Sequence, residues 1–299
     1  MKLTVAIPTY GRNRVLIETI ENVLGRLGSD MELIVVDQNP RLDPDTEARL
    51  AAWDAEGALR RVRAEKPSLT AARNLALRLA RADVVLFVDD DVVLSSSLLA
   101  QHVERHRTGD YAAVAGRVYQ WRHGEELPSW DDPRALDNPQ QLPPAYRLDH
   151  VGPIDWFIGC HASVRKAAVI EVGGYDENFV GPAFGEDTDL ALRLVAAGKI
   201  VFFDSTIRLI HRRSPSGGCR IPGNRTWSGW TKSANHFLYM FRHGRTLRDK
   251  AHYLMWGLRS GPLLRENFIR PWRWPVTWID AARALRYGWA NYRTVRSDF

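Results

Sequence analysis

The run Val84-Val85-Leu86-Phe87-Val88 ends in three carboxylates, Asp89-Asp90-Asp91. Its length and β-branched content predict a buried strand. Carboxylates at the carboxyl end of such a strand lie where open α/β sheets bind ligands. Three adjacent acids repel one another unless a cation or hydrogen-bond donors hold them. An oxygen-rich cluster suits Mg²⁺ or Mn²⁺, above all when phosphate oxygens complete the coordination. These residues therefore point to a divalent metal holding a phosphorylated donor, with a solvated acidic turn as the plain alternative.

The flanking pattern places this strand in a sheet. Residues 3–7 read as a strand that ends in the turn-rich Pro8-Thr9-Tyr10-Gly11-Arg12, and Leu16, Ile20 and Val23 then fall on one helical face. Residues 33–36 form the next strand and end at Asp37, residues 44–56 an acidic helix, and residues 59–64 a weaker strand. Ser68 or Thr70 caps a helix that runs to about Ala80. Strand–helix alternation predicts an α/β fold with a mainly parallel sheet. Pro8, Asp37 and Asp89 would then gather at one sheet edge.

Beyond this half, residues 95–107 read as a helix and 111–119 as a strand, while residues 120–153, with several prolines, are the least regular part. Residues 163–172 read as a helix stopped by Gly173-Gly174. Gly185-Glu186-Asp187-Thr188-Asp189 opens another, with acids at the end the helix dipole favours. Two short strands, 200–203 and 207–210, lead to His211. The first strand is not followed by G-x-G-x-x-G, and no Walker A sequence occurs, which argues against a dinucleotide oxidoreductase or a P-loop enzyme.

Taken together, residues 3–213 resemble the inverting glycosyltransferases of family two, which have the GT-A fold. The resemblance lies in five motifs in the family's order: Val5-Ala6-Ile7-Pro8-Thr9-Tyr10-Gly11-Arg12; Asp37 after Ile34-Val35-Val36; Ala72-Arg73-Asn74; Asp89-Asp90-Asp91 at the D-x-D position; and Gly173-Gly174-Tyr175-Asp176-Glu177-Asn178-Phe179 followed by Gly185-Glu186-Asp187. It implies a nucleotide-sugar site at Pro8, Thr9, Tyr10, Arg12, Asp37, Arg73, Asp89 and Asp90, with Asp37 on the base and Asp89 at the ribose. It implies Mn²⁺ or Mg²⁺ at Asp91, Asp187 as the base that activates an acceptor hydroxyl, and Glu186 orienting the acceptor or sharing that role. His211 reads as a second metal ligand or as an exposed loop histidine. Arg213 and Arg220, in the Gly-rich stretch that follows, read as a basic loop over the diphosphate or as a solvated loop. Trp156 and Gly159 belong on the acceptor side, where Trp156 could stack on a sugar or pack in the core. The expected division is a catalytic domain at 1–213, with a nucleotide-sugar half (1–119) and an acceptor half (120–213), followed by a mostly helical extension at 214–299.

Charge separates the extension from the body. The net charge is +6, but residues 205–299 carry 18 Lys and Arg against 4 Asp and Glu, and 7 of the 11 tryptophans. A basic, Trp-rich tail suits anionic partners. Leu247, Ala251, Leu254 and Leu258 recur at helical spacing, as do Trp278, Ala281, Ala282, Leu285 and Trp289. Basic amphipathic helices of this kind read as membrane-surface elements, or else as helices that pack on the body or pair two copies. The expected partners are a nucleotide-sugar donor, a glycan or lipid-linked acceptor and an anionic membrane surface, with no nucleic acid. Two cysteines give no disulfide framework, and no apolar run is long enough to span a bilayer, so the expected location is the cytoplasm or the inner face of the plasma membrane. Arg270-Pro271-Trp272-Arg273-Trp274 superficially matches the Q/R-x-x-R-W motif of processive polysaccharide synthases, but it lies too far past Asp187, so transfer of a single sugar is expected. The alternatives are a nucleotidyltransferase, a nucleic-acid binder built on the basic tail, and a non-catalytic sugar-nucleotide-binding protein.

Overall fold

The structure, a computed structural model, describes residues 2–121, 130, 149–218, 230–263 and 265–299. Arg220, Cys219 and most of the irregular stretch 120–153 lie outside the described residues.

Strands β1 (Leu3–Thr9), β2 (Met31–Asp37), β3 (Arg60–Arg63) and β4 (Val84–Val88) alternate with helices α1 (Arg14–Leu24), α2 (Pro44–Ala55) and α3 (Leu69–Leu79). The four strands are parallel, in the order β3-β2-β1-β4. Helix α3 begins at Ser68, whose hydroxyl accepts from the Ala71 N–H, so Ser68 rather than Thr70 is the cap. Alternate residues along β1 and β2 point to opposite faces. Val5, Ile7, Leu33 and Val35 join Leu16 and Ile20 of α1 in one buried layer. Ala6, Ile34 and Val36 join Ala76 and Leu77 of α3 in the other. The two-residue period of the strand thus builds both layers at once.

The second half makes the sheet mixed rather than parallel throughout. It contains β5 (Val92–Leu94), α4 (Leu98–Thr108), β6 (Tyr111–Gln120), β7 (Val151–Ile154), β8 (His161–Arg165), α5 (Lys166–Glu171), α6 (Glu186–Ala196) and β9 (Ile200–His211). Beyond β4 the order is β8-β6-β9-β5, with β7 also on β9. β8 is antiparallel to both β4 and β6, whereas β6 and β9 are parallel. Two sequence expectations change here. Ser163 lies in β8, so the helix starts only at Lys166, because residues 161–165 pair with β4 and residues 162–164 also with β6. The two strands expected at 200–203 and 207–210 are one strand with an irregular register between Gly116 and Arg117. The Asp204 carboxylate accepts from the N–H and hydroxyl of Thr206, which turns the extra residues locally without ending the strand.

Four helices close the chain: α7 (Trp230–His243), α8 (Leu247–Arg259), α9 (Arg265–Ile269) and α10 (Trp274–Asn291). Gly288 of α10 lies against the α7 backbone at Phe237 and Leu238, and Gly257 of α8 against the Phe237 ring; a Cβ at either position would collide. These helices dock on the body through apolar contacts, Leu238 against Phe179 and Ala183, and through charge. Arg242 of α7 pairs with Asp176 at 2.7 Å and Asp189 at 2.9 Å, and His243 Nε2 lies 2.8 Å from Asp189. The final residues lie along the Gly173–Asp176 motif: the Arg296 N–H donates to Asp176, and the Ser297 hydroxyl to the Gly173 carbonyl.

Candidate active site

The carboxyl ends of β1, β2 and β4 converge, as their parallel register requires. Thr9 is level with Asp37, and its hydroxyl donates to Asp90 at 2.8 Å. Pro8, Tyr10, Arg12, Asp89, Asp90, Asp91 and His211 line one cleft. Arg12 is buried and bridges two of the acids, with Nε 3.1 Å from Asp90 and Nη2 3.1 Å from Asp91. Asp37 is fully buried and holds five donor groups: Arg61 through Nε and Nη2, Arg63, and the backbone and side-chain N–H of Asn39. Burial would raise its pKa, but the bonds from Asn39 and Arg61 bring it below the usual carboxylate value.

The three consecutive acids differ sharply. Burial pushes Asp90 up to about 7, against the pull of Arg12. Asp91 is equally enclosed, yet the His211 ring, Arg12 and the Ser214 N–H hold it well below the carboxylate range. Asp89 is the most open of the three, with about a third of its side chain exposed. His211 Nε2 lies 3.0 Å from Asp91 Oδ1 and 3.8 Å from Asp89 Oδ2. One donor atom from each of Asp89, Asp91 and His211 falls within 4.8 Å of the others, a spacing that could hold a metal ion. Two carboxylates and an imidazole fit Mn²⁺ or Mg²⁺ completed by phosphate oxygens. The other ring nitrogen supports the fit: Nδ1 lies 3.0 Å from the Gln120 side-chain oxygen. An amide oxygen only accepts, so Nδ1 carries a proton; Nε2 donates to Asp91, and a metal would take the place of that second proton. Behind β9 the chain turns back, and the Arg212 N–H donates to the Asp91 carbonyl. Arg213 takes a left-handed conformation (φ 50°) on that turn and is exposed, while Gly217 packs against Gly11.

Helix α6 presents Glu186 and Asp187 from its first turn, directly after Gly185, whose φ of 96° is costly for a residue with a Cβ. Asp187 accepts from the Gly159 N–H at 2.8 Å and the Thr188 N–H at 2.8 Å. Gly159 lies against the Arg73 guanidinium, where a Cβ has no room. Arg73 is buried, pairs with Glu186 at 2.8 Å, and has the rings of Phe87 and Tyr175 within 6 Å. It also interacts electrostatically with Asp89 and Asp187, so one cation spans the two acidic groups. Burial and the Asp187 charge push Glu186 up to about 8 in spite of Arg73. Asp187 is raised by burial, against Arg73 and its two N–H donors. Both acids face a chamber of about 880 Å³ whose walls include Trp156 and Phe184 from the body and Tyr239, Tyr253 and Trp256 from α7 and α8. Cys160 is buried and its thiol is pushed well above the usual value, so it stays protonated.

A sequence model of the family described as glycosyl transferase family 2 matches residues 4–173, more than half of the chain. This chain is a family 2 glycosyltransferase. The glycosyltransferase is 27% identical over 261 residues to an uncharacterized glycosyltransferase, YfnE, of Bacillus subtilis, covering 72% of this chain and 66% of that protein. It is 30% identical over 187 residues to the succinoglycan biosynthesis protein ExoM of Rhizobium meliloti, covering 62% and 55%. The chain thus spans just under two thirds of the first relative and about half of the second. Its fold matches S. aureus TarS 1-349 in complex with UDP-GlcNAc, with a TM-score of 0.64 at 14% identity over 95% of this chain and 82% of that one. It also matches the mannosyltransferase PcManGT of Pyrobaculum calidifontis in complex with GDP-Man and Mn²⁺, with a TM-score of 0.55 at 19% identity over 97% and 75%. The GT-A fold with added C-terminal helices is therefore established for this glycosyltransferase.

Of the residues picked from sequence, Pro8, Tyr10, Arg12 and the three acids share one cleft with His211, and Trp156, Glu186 and Asp187 share the chamber. Thr9 and Asp37 sit beneath the cleft rather than in its lining. Arg73 and Gly159 sit behind the acids of α6, where they hold Glu186 and Asp187. Gln120 was missed. It reaches His211 because β6 and β9 end in register, Gln120 opposite His211, across a break of 90 residues in sequence. The chamber wall from α7 and α8 was missed for the same reason: its aromatic residues carry no motif.

Proposed function

We propose that this glycosyltransferase moves a single sugar from a nucleoside-diphosphate sugar, a UDP-sugar in our reading, to a hydroxyl of a glycan or lipid-linked acceptor, with inversion and with a divalent metal, in polysaccharide or glycoconjugate synthesis. The observation that carries this reading is the pairing of a metal-type triad, Asp89, Asp91 and His211, with Asp187 in the first turn of α6, facing a chamber of about 880 Å³.

Asp89, Asp91 and His211 would hold a divalent metal, which would supply charge to offset that developing on the departing diphosphate. The base and ribose lie along Tyr10 and Asp89, above the buried Asp37, and Arg213 and Arg220 serve the phosphates. Asp187 accepts the proton of the acceptor hydroxyl as that oxygen bonds to the anomeric carbon and the bond to the diphosphate breaks. Burial and the Asp187 charge raise Glu186 to about 8, so the two acids titrate as a pair, and the Gly159 and Thr188 N–H donors favour the charge on Asp187. Direct displacement needs one base and inverts the anomeric centre. Trp156 offers a flat face for a sugar ring. The acceptor half at 120–213 then works together with the extension at 214–299, since Tyr239, Tyr253 and Trp256 complete the chamber.

The test is thermal stabilisation by a panel of nucleotide sugars with and without Mn²⁺, followed by NMR of the product's anomeric configuration. A cognate donor at ~100 times its dissociation constant adds roughly 2.7 kcal/mol. That gain should require metal and vanish in Asp91→Ala. A retained anomeric configuration, or stabilisation by no sugar nucleotide, would refute the reading.

A further inference from the structure

The chain 268–279 joins α9 to the first turns of α10 and carries an unusual surface. Phe268, Ile269, Trp272, Val276, Trp278 and Ile279 are all exposed, with Ile269, Trp272 and Ile279 about 70% so. Among the described residues none of the six belongs to a buried apolar cluster. The segment is nonetheless ordered by its own bonds. The Trp274 indole N–H donates to the Asn267 carbonyl at 2.9 Å, the Trp274 ring lies edge-on to Phe268, and Asn267 is buried with its amide on the Gly261 carbonyl. Farther along α10, Ala281, Ala284 and Gly288 make the buried face against α7, so the Trp-bearing end projects beyond the packed part of the helix.

Helix α8 repeats the arrangement. Gly257 and Tyr253 face Phe237 and Tyr239 of α7. Leu247 and Leu254 are exposed about a quarter turn from that face, and Met255 about half a turn away beside the exposed Arg248 and Arg259. Exposed apolar side chains set beside arginines suit a partner outside the monomer.

We propose that the exposed face of 268–279, together with the exposed apolar residues of α8, docks on an anionic phospholipid bilayer. Charge selects this occupant. Arg270 and Arg273 are exposed among the apolar side chains, and residues 205–299 hold 18 basic against 4 acidic residues. A second copy of the chain would bring like charges together, whereas an anionic leaflet attracts them. Trp and Arg side chains suit the interfacial layer, where an apolar body and a polar tip are both satisfied. Contact is at the surface only, since among the described residues no helix is long and apolar enough to cross a membrane. Helix α8 bears both these exposed residues and Trp256 of the chamber wall, so a docked molecule holds the chamber next to the leaflet.

The test is co-sedimentation of the full chain with unilamellar vesicles of zwitterionic lipid alone or with an anionic phospholipid, read together with Trp emission. We expect binding that needs the anionic lipid, a blue shift, and weakening by salt. Trp272→Ala with Ile279→Asp should lower vesicle affinity about tenfold or more while metal-dependent donor binding stays unchanged. Arg270→Glu with Arg273→Glu should remove the preference for anionic lipid. The proposal is overturned by a folded chain that ignores anionic vesicles at low salt, by binding indifferent to both double variants, or by a concentration-dependent dimer that Trp272→Ala/Ile279→Asp dissolves.

Discussion

His211 is useful as a ligand only if its ring presents the right nitrogen, and that depends on Gln120. The Gln120 side-chain oxygen, 3.0 Å from Nδ1, fixes the proton there. Gln120→Leu would leave the ring free to flip or change tautomer. We expect Mn²⁺ affinity to fall about 10–100-fold, read by calorimetry, with little change in thermal stability in the absence of metal. Asp187→Asn tests the other half of the site. An amide keeps the size of the group and can keep its contact with Gly159, but it cannot take a proton. Transfer should fall about 10²–10⁴-fold while donor affinity is retained. Loss of donor binding in that variant would move Asp187 from the acceptor to the donor.

At the scale of elements, the joint between α6 and α7 is made of charge rather than apolar area. Asp176 and Asp189 are fully buried, and Arg242 contacts both. Burial would raise Asp189, but His243, Arg193 and Arg242 hold it well below the usual range, so it stays ionised. Replacing Arg242 with Ala leaves two buried carboxylates short of their counter-charge. The expected loss is about 3–5 kcal/mol in urea unfolding, the cost of breaking a buried pair from one side. Arg242→Lys should recover only part of it, because one ammonium cannot match the span of a guanidinium. The helix N-terminus that carries Glu186 and Asp187 is braced by this joint, so Arg242→Ala should also lower transfer activity below the unfolding midpoint.

For the whole molecule, buried histidines contribute stability that acid removes well above the pH at which ordinary carboxylates protonate. His102, His106 and His161 are buried near the centre of the sheet, and the rings of His102 and His106 both contact the Ser163 hydroxyl. Burial lowers all three, His106 and His161 to about 4 and His102 well below its usual value. Their folded pKa values lie below the unfolded value, so the unfolded chain takes up protons first as pH falls. The stabilisation is complete above the unfolded pKa near ~6.5 and is lost as pH drops toward about 4, on the order of 3 kcal/mol for each of His106 and His161. Asp90 and Glu186, raised to about 7 and about 8, gain stability over the same window and oppose this loss. The histidine share is therefore read by comparing the chain with His106→Gln, which should remove its part of the loss. Identical Tm profiles from pH 7 to pH 5 would contradict this.

The sequence by itself determined the α/β class, the parallel first half and the position of Asp89, Asp90 and Asp91 at a strand end, because these follow from local periodicity and from the fixed direction of each strand. It also determined the family, through short motifs whose residues are close in the chain. Tertiary structure decided the rest. Which way His211 presents its ring depends on Gln120, a neighbour only through the register of β6 with β9. That Arg73 supports Glu186 rather than lining the cleft depends on α3 and α6 meeting behind Gly159. The chamber over Asp187 exists because α7 and α8, which follow β9 in sequence, pack back on the body. Of the stripe Leu247, Ala251, Leu254 and Leu258, the first three are exposed, whereas Leu258 packs against the cluster around Phe237. Periodicity states that a helix has an apolar face; only the three-dimensional packing determines whether that face is already covered.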